Sequence, residues 1–155
     1  MKKTNINVKN KFYYIISVLV FLSLSIYETS YAQDVGGVLV AAESSDVHKA
    51  SVLEIRRIYL GLPSSPDISM KKPVVNLSNQ KIYKAFLKNI MHMTEKGYKR
   101  KIIKRIFRQG GEKIHESTSI ADLVYHLNKN IGDVSFMDKE TAERTKGIKV
   151  VQVLW

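Results

Sequence analysis

The sequence predicts an α/β fold: a single layered domain with a central mixed β-sheet flanked by helices. Two observations carry this. Short runs rich in β-branched residues alternate along the chain with segments whose apolar residues recur at helical spacing. Two of the runs, "VLVAA" and "KVVQVL", are largely apolar, as suits strands in the covered centre of a sheet. A third observation bounds the core. The chain has no cysteine, so no disulfide can brace it, and from Gln33 onward it is long enough to bury one hydrophobic core.

The elements follow in order. "VGGVLVAA" (35–42) reads as a buried strand, and "ESSDVHKA" as the loop after it. Ser51 and Glu54 form a capping box ahead of a helix whose buried side is Val52, Ile55 and Tyr59, with Arg56 and Arg57 mainly exposed. Gly61 stands at its C-terminal stop, completing the stretch "EIRRIYLGLP". "LPSSPDISMKK" holds two of the three prolines and reads as a loop. "PVVNLS" (73–78) is a second strand. From Lys81 to Met93, Ile82, Phe86, Leu87 and Ile90 form one helical face. "TEKG" reads as an interruption, after which Tyr98, Ile102, Ile106 and Phe107 mark another helix closed by Gly110 and Gly111. Ser119 and Asp122 make a second capping box before Ile120, Leu123, Val124 and Leu127. "DVSFM" (133–137) and "GIKVVQVL" (147–154) are the last strands, giving the order β, α, β, α, α, α, β, β.

The N-terminus predicts a destination. Lys2, Lys3, Lys9 and Lys11 precede an uncharged apolar run of 16 residues, and Ser30 and Ala32 follow in a small-x-small pattern. That combination describes a secretory signal peptide cleaved near Ala32, leaving a domain over 33–155 that is periplasmic or secreted. An uncleaved membrane anchor is the other reading, although the run is short of the ~20 residues a spanning helix needs. Of the chain's net charge of +11, the leader holds +3, so +8 belongs to the domain. Outside the cytoplasmic membrane, the anionic partners of such a domain are small oxyanions, lipid head groups and acidic protein surfaces. Nucleic acid is not expected there.

Three features are candidates for binding. Ser44 and Ser45, in "ESSD" just past the first strand, offer hydroxyls and amides to an oxyanion, or form only a polar turn. Ser117, Thr118 and Ser119 stand before a helix, where unpaired N–H groups donate to an anion or where Ser119 simply caps. The run "KGYKRKIIKRIFR" contains no acid. At helical spacing it stacks Arg100, Lys104 and Arg108, and beside them Lys101 and Arg105. Each like-charged pair at that spacing costs roughly 0.2–0.5 kcal/mol. The run is either a solvated face or a docking surface built from Lys101, Lys104, Arg105 and Arg108 for an acidic partner or an anionic membrane. No catalytic motif, cofactor or metal spacing appears: the four histidines show no zinc pattern, and G-x-S-x-G and H-E-x-x-H are both absent. An enzyme is not expected.

Taken in order, "EIRRIYLGLP", "VLVAAESSDVHKAS", "PVVNLSNQKIYKAFLKNIM", "IFRQGG" and "GDVSFM" resemble segments of small proteins related to the phosphate-binding subunits of ABC transporters. These belong to the type 2 periplasmic binding protein superfamily. The resemblance covers residues 38 to 154 and implies one lobe of that fold. It also implies a solute-binding function directed at phosphate or another small oxyanion, with a membrane permease or sensor protein as partner. Ser135 and Phe136 depart from the pattern, standing where the family usually has glycine and tyrosine. The family's full-length members close two lobes on their ligand, whereas this chain has residues for about one. A periplasmic adaptor that docks on a membrane sensor or on the envelope surface is therefore the competing expectation.

Overall fold

A computed structural model describes residues 36–63, 65, 69–110 and 112–155, and Val35–Trp155 packs as one compact unit. The predicted signal peptide lies outside the described residues. The elements are β1 (Gly37–Ala42), α1 (Val52–Tyr59), β2 (Val74–Asn76) and α2 (Gln80–Phe86). A π-helical turn (Leu87–Met91) continues α2, and α3 (Glu95–Gln109), β3 (His115–Ser117) and α4 (Ile120–Lys129) follow. β4 (Val134–Asp138), α5 (Lys139–Arg144) and β5 (Ile148–Val153) complete the order.

The class is mixed α/β as predicted, but the strands divide differently. β1 lies between β4 and β5 in an antiparallel trio, while β2 and β3 pair in parallel. A single parallel bridge, Pro73 to Val134, joins the two groups. Beyond that bridge, side chains rather than a backbone ladder link β2 to β4. The Asn76 amide donates to the Phe136 carbonyl at 2.9 Å, and the Ser135 hydroxyl donates to the Val74 carbonyl at 2.9 Å. Ser135 therefore staples the two groups where a glycine would have nothing to offer.

Helices cover both faces of β1. Leu39 and Ala41 share one core with Ile55, Ile58, Tyr59, Phe86, Ile90, Tyr98 and Ile102, drawn from α1, α2, the π turn and α3. Val38 and Val40 share the other with Leu123, Leu127 and Ala142 from α4 and α5. The alternation follows from the two-residue period of a strand. Burial drives the phenols of Tyr59 and Tyr98 well above the ordinary value and that of Tyr83 up to about 12, so all three stay neutral at physiological pH.

Several local expectations change. Val52 is 39% exposed, and Ile58 takes its place on the buried side of α1. Arg56 and Arg57 are half-buried rather than free: Arg56 Nε donates to the Ile90 carbonyl, and Arg57 donates twice to the Pro63 carbonyl at 3.0 and 2.8 Å. The predicted interruption at "TEKG" is a helix start, since Thr94 caps α3 by accepting from Gly97 N–H at 3.2 Å. The single helix expected over 81–93 widens into the π turn and stops at His92, whose φ of 51° is left-handed. Ser51 and Ser119 cap α1 and α4 as the capping boxes predict, accepting from Glu54 N–H and Asp122 N–H.

Candidate functional site: a basic helix and a basic cleft

The strand register decides which predicted residues can act together. Ala41 pairs with Val134, so the turn carrying Ser44 and Ser45 sits where β4 begins. Asn76 pairs with Ser117, so Ser117, Thr118 and Ser119 sit where β2 and β3 end. Because β2 and β4 run parallel at their bridge, the two serine groups lie at opposite ends of the strands and form no common site. The sequence offered them as two separate candidates, and the strand directions that keep them apart depend on pairing between distant segments.

The local chemistry of the two groups also differs. Ser44 is exposed, whereas Ser45 is 2% exposed and its hydroxyl accepts from Val47 N–H at 3.2 Å. Its carbonyl is taken by the Lys149 ammonium. Ser45 thus serves its own turn. At the other end, Ser119 is spent on capping and Thr118 is exposed. The Ser117 hydroxyl is fully buried and has no hydrogen-bond partner among the described residues.

The basic run forms α3 and divides into two sides. Tyr98 and Ile102 bury against the core, and the Tyr98 hydroxyl donates to the Tyr59 carbonyl at 2.9 Å. Arg100, Lys101, Lys104 and Arg108 are exposed, and none forms an ion pair with a described carboxylate. Lys99 differs, being held by Glu95 at 2.5 Å. Beside the free cations stand Ile103, which the sequence reading did not single out, and Phe107, which it grouped with the apolar residues of the helix but which faces solvent. Ile103 is 53% exposed and Phe107 is 85% exposed, one turn apart on the same side of the helix.

Arg105 is placed apart from the other predicted docking residues. It is half-buried, and its guanidinium donates to the Gly61 carbonyl at 3.3 Å and the Glu112 carbonyl at 3.2 Å. It helps line a cleft of about 780 Å³ at the amino ends of β2, β3 and β4. Lys71, Lys72, Lys113, His115, His126 and Asp133 contribute polar groups to the same cleft. Lys72 is matched to Glu112 at 2.6 Å. Their hydrogen bond raises the lysine pKa and lowers the glutamate pKa. His115 and His126 stack with centroids 4.0 Å apart, and His126 Nε2 lies 3.1 Å from Asp133 Oδ2. Nothing in the sequence marks this assembly, because its members come from five separate segments.

No protein-family model matches the chain, and no curated protein matches it.

Proposed function

We propose that this protein is an exported interaction module that docks on an anionic membrane surface through α3. The observation that carries the reading is the exposure of Ile103 and Phe107 beside Arg100, Lys101, Lys104 and Arg108. Leaving a phenyl ring in water forgoes roughly 1.5–3 kcal/mol of burial, so a solvated face explains the cations but not Phe107. At a lipid interface both halves are used: apolar side chains enter the acyl boundary, and each nearby cation gains ~1 kcal/mol from anionic head groups. The expected export leader supports the compartment, since it would present the domain to the outer face of a membrane. No helix among the described residues is long and apolar enough to cross one.

The test is co-sedimentation with anionic and zwitterionic vesicles at two salt concentrations. Wild type is expected to bind anionic vesicles and to lose binding as salt rises, because exposed charges are screened over ~10 Å at 0.1 M. Arg100→Gln, Lys101→Gln, Lys104→Gln and Arg108→Gln together should weaken binding about a hundredfold or more. Ile103→Ser with Phe107→Ser should weaken it about tenfold or more. All variants keep residues 1–35, so the difference isolates α3. Equal binding by wild type and both variants sinks the proposal. Binding to an acidic membrane sensor or permease, with vesicles ignored, would assign the face to a protein partner instead.

A second reading follows the family resemblance: one lobe of a type 2 periplasmic binding protein that takes phosphate or a similar oxyanion. The α/β/α layering supports the fold, and the buried, unpartnered Ser117 hydroxyl supports an acceptor or donor role toward a ligand at the strand ends. A phosphate-induced rise in thermal stability that Ser117→Ala removes is its expected signature, and saturation at ~100-fold the dissociation constant adds about 2.7 kcal/mol.

A further inference from the structure

We propose that the cleft at the amino ends of β2, β3 and β4 is a binding site for a small organic phosphomonoester, with Arg105 and Lys71 receiving the phosphate. The inference is independent of membrane docking by α3 and of the oxyanion reading at Ser117, which lies at the opposite strand ends.

The charge pattern favours an anion. Four cations line the cleft, but Lys72 is matched by Glu112 and Lys113 by Glu116. Arg105 and Lys71 pair with no described carboxylate. Asp133, the remaining acid in the wall, is engaged by His126 at 3.1 Å and by Lys72 N–H at 3.1 Å. Arg105 and Lys71 are therefore the cations left without a carboxylate partner, and with the Asp133 carboxylate counted the wall still keeps a net positive charge, which suits the anionic phosphate of a phosphomonoester.

The geometry shows a group held ready. Arg105 spends its guanidinium on two backbone carbonyls, which neutralise nothing, and its Nε is buried without a partner among the described residues. Gly61 fixes the placement. It adopts φ of 66°, and a Cβ there would lie 2.3 Å from Arg105 Cζ, so only glycine lets the guanidinium seat against the backbone. The glycine within "EIRRIYLGLP" is thus also the floor under Arg105. Lys71 is positioned in the same way, its aliphatic chain lying against Gly132.

The volume and the remaining walls indicate an organic body rather than a bare ion. About 780 Å³ lies within the range of small-molecule sites and far exceeds what an inorganic phosphate fills. Ile58, Leu62, Pro73 and Ile114 give the cleft apolar walls. The guanidinium fork fits phosphate oxygens by paired donors, and an ammonium adds a point charge.

Isothermal titration of the full-length protein with phenyl phosphate tests the site, with inorganic phosphate and phenol as controls. Wild type is expected to bind phenyl phosphate saturably, inorganic phosphate at least tenfold more weakly, and phenol not at all. Arg105→Gln should reduce phenyl phosphate affinity at least tenfold, and Lys71→Gln severalfold. Lys71 is exposed and carries no ion pair with a described carboxylate, so its variant keeps the test decisive if loss of Arg105 disturbs folding. Ser117→Ala should bind as wild type does. The proposal is overturned if wild type shows no saturable binding, if Lys71→Gln binds unchanged, or if inorganic phosphate binds as tightly as the ester. It is equally overturned if Ser117→Ala abolishes binding while Lys71→Gln does not, which would move the ligand to the other end of the strands.

Discussion

Replacing Phe136 by alanine lowers stability by about 3–5 kcal/mol, the range for removing a large buried aromatic ring. Phe136 is completely buried in the centre of β4. Its ring lies parallel to that of Phe86, with centroids 3.9 Å apart, and is tilted against Tyr59 at 5.8 Å. These three rings connect β4 to α1 and α2, so deletion leaves a void bounded by three elements that cannot all move in. Domains of this size are stable by about 5–15 kcal/mol, so the variant should sit near the edge of folding. Urea denaturation followed by tyrosine and tryptophan fluorescence measures it. A loss below about 1.5 kcal/mol would mean that the Phe86–Phe136 stack does not exist in solution. Phe136→Leu should recover much of the loss, since most of the volume returns.

In α1, Ile55→Ala should cost about 2–5 kcal/mol, while Arg57→Ala should cost less than about 1 kcal/mol. Ile55 is fully buried among residues of the larger core. Arg57 bonds the Pro63 carbonyl, but its side chain is 43% exposed, so water replaces the lost donors readily. Arg56→Ala should fall between them at about 1–3 kcal/mol, because it leaves the Ile90 carbonyl of the π turn without its donor in a partly buried place. The three denaturation curves order the residues by burial. A loss at Arg57 equal to that at Ile55 would contradict the facing of the helix.

The elements easiest to read were those whose own residues carry the signal. α1, α2 and α4 combine a capping side chain with apolar residues at helical spacing, and β1 is apolar throughout. β3 carries no such signal. His115 and Glu116 are exposed, and the segment is a strand only because β2 lies beside it. α5 has one buried residue, Ala142, and a readable cap at Asp138, which accepts from Thr141 N–H at 2.8 Å. A search for caps rather than apolar spacing would have found it. Gly97 misled because glycine disfavours helix interiors by ~1 kcal/mol, yet it stands in the first turn, where Thr94 needs an amide.

By itself, the sequence determined the α/β class, the buried strand at the centre and the cationic character of α3. Each is a local property: periodicity, composition and charge are written in consecutive residues. The tertiary structure alone decided which charges remain uncompensated. Arg105 and Lys104 are neighbours in the chain and equal in formal charge, yet one is drawn inward by the Gly61 and Glu112 carbonyls while the other is left in solvent. It also decided that Ser45 and Ser117 stand at opposite strand ends, since strand direction depends on pairing partners far apart in sequence. A binding site is a relation between distant segments, and their meeting is set by how the helices and strands pack around one core rather than by any stretch read alone.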